Sequence, residues 1–106
     1  MMALNIAHEV ASDGTVISVD GDVDLYTSPD LRNAVLTAIP KAAGRVAVDL
    51  SGVNYIDSSG VATLVEGLRS AREHSKNFVL VNPSPAVTQV LELAKLDSVF
   101  EVQTAS

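Results

Sequence analysis

The spacing of hydrophobic residues divides this chain into two parts. In the first part, residues 4–10 and 15–23 place hydrophobic side chains at every second position, which is the period of a β-strand with one buried face. Asp13 and Gly14 lie between these segments, and Asp-Gly is a strong hairpin signal because both residues can adopt positive φ. The first part is therefore predicted to form two antiparallel strands.

The second part alternates between helical and strand patterns. The first helix is predicted to begin at Thr27, whose hydroxyl is a candidate cap, followed by Pro29, and to end at Pro40. A second amphipathic helix follows, and Ser84 and Pro85 predict the start of a third. Strands are predicted at residues 45–50, 78–81 and 99–102, with a loop at 51–57. The predicted order is β-β-α-β-α-β-α-β, an α/β fold whose mixed, mostly parallel sheet is covered by helices through right-handed crossovers.

Composition excludes several classes of function. With 106 residues and 47% hydrophobic content, residues 1–106 are expected to form a single domain with its own core. Zero Cys excludes a zinc ribbon, a thiol nucleophile and an iron-sulfur site, and two His supply a transition-metal site poorly, so no cofactor or metal is predicted. A net charge of -6 and 4% aromatic residues argue against nucleic acid as a partner. No apolar run suits membrane insertion, and the first ten residues lack a basic signal-peptide region, so a cytoplasmic protein is expected.

The most informative segment is Asp57, Ser58, Ser59 and Gly60, just before the first hydrophobic residue of the second helix. Backbone N–H groups at a helix start lack partners within the helix and carry partial positive charge, so this position suits an anion. From the residues alone, a simpler interpretation is that Asp57 or Ser58 caps the helix and Gly60 allows the turn.

The run VDLSGVNYIDSSGVATLVEGLRSAR, residues 48–72, closely resembles the signature of STAS domains, the sulfate-transporter and anti-sigma-factor-antagonist family. The turn at residues 21–24, which leads to Thr27, and the later run PAVTQVLELAKLDSVFEV also resemble that family. The resemblance extends over residues 15–102, and the predicted order of elements agrees with the STAS fold. It implies a regulatory protein that acts by partner switching and is not an enzyme.

The resemblance also implies roles for individual residues. In family members that act as anti-sigma factor antagonists, the first serine of DSSG is phosphorylated by an anti-sigma factor that is a serine protein kinase, and that serine is Ser58 here. Asp57 and Asp24 match acidic residues at the phosphorylation and partner surface. The unphosphorylated antagonist binds the anti-sigma factor and releases sigma for transcription. The phosphorylated form does not bind until a phosphatase, of the PP2C type, resets it.

A helix start is a physically reasonable place for such a switch. The helix dipole offsets part of the charge of a phosphate, whereas the same charge buried in an interface without a matched cation is costly. We expect the protein to be a monomer. Ser59 is expected to have a capping or turn role, with a second phosphate acceptor as the alternative. The remaining residues of the expected partner surface are Ser59, Gly60, Ala62, Glu66 and Arg69.

The main alternative is the accessory STAS subunit of a phospholipid-transporting ABC system, which binds the ATPase and needs no phosphorylation. The helix sequence GVATLVEGLRSAR differs in detail from the best-known antagonists, so the identity of the partner stays open. A STAS scaffold in a larger stress-signalling complex is a third interpretation.

Enzymatic interpretations find little support among the residues. A Ser-His-Asp hydrolase would need a GxSxG elbow, which is absent, and a receiver-like phosphoacceptor at Asp49 or Asp57 lacks the accompanying acidic pair and lysine. His8 is expected to pack in the first strand, and His74 to lie at the end of the second helix. Gly67, within that helix, fits either close packing by a neighbour or a flat partner surface.

Overall fold

The computed structural model describes residues 4–104 and confirms the predicted order of elements. The strands are β1 (Asn5–Ala11), β2 (Gly14–Val23), β3 (Arg45–Ile56), β4 (Asn77–Val81) and β5 (Glu101–Gln103). The helices are α1 (Ser28–Lys41), α2 (Ser58–Glu73) and α3 (Pro85–Leu93). No helix in this part of the chain is long and apolar enough to cross a membrane.

The five strands form one sheet in the order β1-β2-β3-β4-β5. β1 and β2 are antiparallel, and every later neighbouring pair is parallel. Because each parallel strand is added on the same side of the previous one, right-handed crossovers place the three helices on one face. Burial agrees, since Ile17 and Val19 are buried while Val16 and Asp20, on the opposite face of β2, are exposed. The core lies between sheet and helices and includes Val35, Val48, Leu50, Leu64, Leu80 and Leu91.

The β1–β2 hairpin is confirmed, but its turn lies one residue earlier than the Asp-Gly signal predicts. Ala11 pairs with Gly14, so Ser12 and Asp13 form the turn. Gly14 alone among these has positive φ, at +159°, and a Cβ there would lie 2.4 Å from the carbonyl oxygen of Arg45. Gly14 is therefore required by the close approach of β3 as well as by the turn.

The predicted loop at residues 51–57 is wrong, because β3 continues to Ile56. The second half of β3 pairs with the end of β2 through two register shifts, one of them between Ser18 and Asp20. Gly52 lies in this segment, and the exposed carboxylate of Asp20 occupies the space that a Cβ at Gly52 would take. As a result, only Asp57 separates the longest strand from α2.

The expectation that His8 packs on the buried side of β1 is also wrong. His8 is exposed and Val10 is 80% exposed, because β1 is an edge strand that α1 does not fully cover. Both side chains line an open groove of about 550 Å³ between β1 and α1. His74 lies at the end of α2 as predicted, with its ring Nδ1 2.8 Å from the Ser70 carbonyl oxygen.

Candidate functional site

Asp57 is the N-cap of α2. Its backbone is extended, and its Oδ1 accepts hydrogen bonds from the N–H groups of Ser59 at 2.9 Å and Gly60 at 3.3 Å. The N–H of Asp57 donates to the Val23 carbonyl oxygen at 3.1 Å, which attaches the helix start to the end of β2. The carboxylate thus satisfies two N–H groups that a helix start leaves without partners.

Ser58 is the first residue of α2, and its side chain is exposed. Ser59 is half-buried, and its carbonyl oxygen accepts a hydrogen bond from the Thr63 hydroxyl at 3.0 Å. Of the two adjacent hydroxyls, the one at Ser58 is therefore the more accessible to a second protein. It also lies at the positive end of the α2 dipole, close to the negative charge of Asp57.

The loop between β2 and α1 is organised by Asp24. Its Oδ1 accepts hydrogen bonds from the N–H groups of Tyr26 at 2.9 Å and Thr27 at 3.0 Å. The predicted capping role of Thr27 is wrong, because its side chain makes no cap hydrogen bond. Instead, the buried Thr27 hydroxyl accepts from the Asp24 N–H and donates to the Asp22 carbonyl oxygen, which closes the loop.

The sheet brings Asp24, Asp57 and Ser58 to the same end of two neighbouring strands. Val23 and Ile56, the last residues of β2 and β3, are register partners in a parallel pair. Asp24 directly follows one of them and Asp57 the other, and both are half-buried. A protein that contacts Ser58 would therefore meet two carboxylates whose loops are already ordered by hydrogen bonds.

The exposed face of α2 continues this surface. Ala62 and Arg69 are exposed, and together with Glu66 they share one helix face. Glu66 is already engaged, because its carboxylate receives hydrogen bonds from Arg32 Nε at 2.9 and 3.0 Å and lies 2.8 Å from Arg32 Nη2. These hydrogen bonds lower the pKa of Glu66 and raise that of Arg32. The pair is exposed, so it joins α1 to α2 only weakly.

Gly60 does not belong to the exposed surface, contrary to the expectation from sequence. It is buried, and a Cβ there would lie 2.6 Å from Ile56 Cγ1 and 2.7 Å from Val23 Cγ1. Its function is to let the first turn of α2 pack closely against the ends of β2 and β3.

Sequence reasoning misses three exposed hydrophobic residues at the same end of the sheet, namely Leu25, Tyr26 and Tyr55. The sequence signal for these residues is their position. Leu25 and Tyr26 directly follow Asp24, and Tyr55 lies three residues before Ser58. No group of three or more potential metal ligands occurs among residues 4–104.

Replacing Asp57 should test its role as a cap. Asp57→Ala removes the acceptor for two N–H groups, so we expect the free energy of unfolding to fall by about 1 kcal/mol. Asp57→Asn keeps an oxygen acceptor and should lose less than half of that. Urea denaturation followed by circular dichroism measures both variants. Equal losses for Ala and Asn would contradict a hydrogen-bonding role.

A family model and curated relatives both match nearly the whole chain. The family model described as "Mlab, STAS domain" matches residues 6–102. An anti-sigma-B factor antagonist from Staphylococcus epidermidis is 27% identical over 101 residues, which cover 95% of this chain and 94% of the relative.

Two solved structures are similar over nearly the whole chain. The crystal structure of an anti-sigma factor antagonist from Mycobacterium paratuberculosis has a TM-score of 0.85 at 25% identity, with 95% of this chain and 86% of that chain covered. The anti-sigma factor antagonist SpoIIAA in its unphosphorylated form has a TM-score of 0.80, also at 25% identity, with coverages of 96% and 89%.

Proposed function

This chain belongs to the STAS domain family, and on that premise we propose that it is an anti-sigma factor antagonist switched off by phosphorylation of Ser58. Its partner is an anti-sigma factor that is also a serine protein kinase. The unphosphorylated chain occupies that kinase and so releases a sigma factor for transcription. The exchange takes place in the cytoplasm, where the kinase finds ATP, and the chain itself acts as substrate and ligand without catalysing a reaction.

The observation that carries this proposal is the exposed hydroxyl of Ser58 at the first position of α2. A phosphoryl group there extends away from the core, so the fold can accept it. The relatives named above are antagonists, and one is described in an unphosphorylated form, which supports the same kind of control here.

The proposed contact surface surrounds Ser58. Asp24 and Asp57 follow the paired ends of β2 and β3, at the same end of the sheet as Ser58, and Ala62 and Arg69 extend the surface along α2. Ser59 and Glu66 lie between them, where Ser59 is half-buried and the Glu66 carboxylate is already paired with Arg32. We take the chain to act as a monomer, which presents one Ser58 hydroxyl to one kinase active site. A PP2C-type phosphatase reverses the modification.

The direct test is phosphate transfer by the natural partner. The tagged chain is used to purify its partner from the source cells, and the pair is incubated with ATP. Intact-mass spectrometry should show one added phosphate, absent in Ser58→Ala and retained in Ser59→Ala. Phosphate on Ser59, or none on either residue with an active kinase present, would contradict the proposal.

A second candidate is the accessory STAS subunit of a phospholipid-transporting ABC system. The matching family model is described without reference to sigma factors, which favours keeping this candidate. In that case the same purification should recover an ABC ATPase, its binding should be unchanged by Ser58→Asp, and no phosphate should be transferred.

A further inference from the structure

Three large hydrophobic side chains are exposed at the end of the sheet that carries the candidate site. Leu25 is 66% exposed, Tyr26 is 77% exposed and Tyr55 is 51% exposed. Scattered exposed hydrophobic residues are ordinary, but a group bordered by polar residues is typical of an interaction surface. Tyrosine is also enriched among the residues that contribute most to binding energy in protein interfaces.

The strands place these residues at the end of the sheet where the acceptor serine lies. Leu25 and Tyr26 lie in the loop that follows β2, and Tyr55 is the second-last residue of β3. Tyr55 is the register partner of Asp22, so the two strands are about 4.8 Å apart at this point. Ser58 follows three residues after Tyr55. The three hydrophobic residues and Ser58 therefore occupy the carboxyl end of the same strand pair.

The loop that carries Leu25 and Tyr26 is ordered before any partner binds. Asp24 Oδ1 accepts hydrogen bonds from the N–H groups of Tyr26 and Thr27, and the Thr27 side chain is buried. A hydrophobic side chain presented on a preorganised loop loses little backbone entropy on binding. Leu25 and Tyr26 are thus exposed on a loop that is already ordered.

Charge is strongly biased around these residues. Residues 20–30 and 52–62 contain five Asp residues and no Lys or Arg. Several cations lie toward the opposite end of the sheet, where Lys41 ends α1, Arg45 begins β3 and the Lys76 ammonium donates to the Ala42 carbonyl oxygen. A partner that docks on the acidic end gains from positive charge on its own surface.

We propose that Leu25, Tyr26 and Tyr55 form a docking patch for the kinase partner. The complementary surface is a hydrophobic recess bordered by Lys or Arg side chains that face the Asp carboxylates. The recess lies beside the nucleotide site of the kinase, because the negative phosphates of ATP have to face Ser58. This inference rests on the proposed function and names the part of the surface that provides affinity.

The test measures phosphorylation kinetics of docking-patch variants with the purified kinase. Tyr26→Ala should raise KM for the chain about tenfold to a hundredfold, the range expected for a tyrosine that dominates binding. The kcat should stay unchanged, because Ser58 and its surroundings are intact. Tyr55→Thr, which removes the ring but keeps a residue of high strand propensity in β3, should act in the same direction. The Tyr26 N–H that bonds Asp24 is retained in Ala, so thermal unfolding should match that of the wild type.

The matched control is Leu93→Ala, since Leu93 is as exposed as Tyr26, at 77%, but lies at the end of α3. Its KM should equal that of the wild type. Raising NaCl from about 50 to about 300 mM should also raise the wild-type KM, because salt screens the charges across the interface.

The possible failures are distinguishable. If the wild-type chain is phosphorylated and Tyr26→Ala and Tyr55→Thr behave like Leu93→Ala, the docking patch is refuted while the proposed function stands. If the wild-type chain receives no phosphate at all, the proposed function fails first.

Discussion

Ser58→Asp should weaken binding to the anti-sigma factor kinase by about a hundredfold, equivalent to about 2.7 kcal/mol, and leave the fold nearly unchanged. At the first position of α2 the dipole stabilises an acidic side chain by about 0.3 to 1 kcal/mol, so the midpoint of thermal unfolding should move by only a few degrees. In the complex the same carboxylate would lie beside Asp57 and face the nucleotide phosphates. Burying it there without a cation costs several kcal/mol.

The phosphorylated chain should bind more weakly still, because phosphoserine carries about 1.5 to 2 negative charges and Asp carries one. Isothermal titration calorimetry with the purified kinase and ADP measures both forms. Ser12→Asp is the matched control: Ser12 is an exposed serine in the β1–β2 turn, at the opposite end of β2, and receives the same added charge. Equal affinities for Ser58→Asp and the wild-type chain would overturn the switch.

The order of elements could be predicted because hydrophobic periodicity and helix starts are local features. Ser84 illustrates this, since its hydroxyl accepts a hydrogen bond from the Val87 N–H at the position where the Ser-Pro pair predicts a cap. The extension of β3 could not be predicted in the same way. Residues 51–56 mix Ser, Gly and Asn with hydrophobic residues, and their strand conformation depends on the bulged end of β2 beside them.

The candidate site also combines features that a local sequence pattern predicts with contacts that depend on the folded chain. The position of Ser58 and the cap at Asp57 follow from a short local pattern. The sequence predicts that Gly60 and Glu66 lie on the partner surface, because it does not show contacts made with residues far along the chain. Gly60 packs against Val23, and Glu66 pairs with Arg32, which lies 34 positions away. Such contacts exist only once α1 and α2 have packed together on the sheet.

The surroundings of Gly67 also come from elements that are distant in sequence. Substituting this residue should have a large effect on stability. The sequence allowed either close packing or a flat partner surface at this residue. It is buried, and a Cβ there would lie 2.8 Å from Phe78 Cζ and 2.8 Å from Val35 Cγ1. These neighbours belong to β4 and α1, and the Phe78 ring contacts Phe100, so they have little room to move. The packing interpretation is therefore the one that the geometry supports.

Gly67→Val should lower the free energy of unfolding by about 3 kcal/mol, at the upper end of the usual cost of overpacking. For a chain of this size, that corresponds to a decrease of roughly 12 °C in the midpoint of thermal unfolding. Gly67→Ala should lose less, since the gain of about 1 kcal/mol in helix propensity offsets part of the steric cost. Differential scanning calorimetry measures both variants. Ala62→Val adds the same branched side chain at an exposed position of α2 and should cost only about 0.5 kcal/mol. A Gly67→Val protein as stable as the wild type but unable to bind the kinase would show instead that a partner contacts α2 at Gly67.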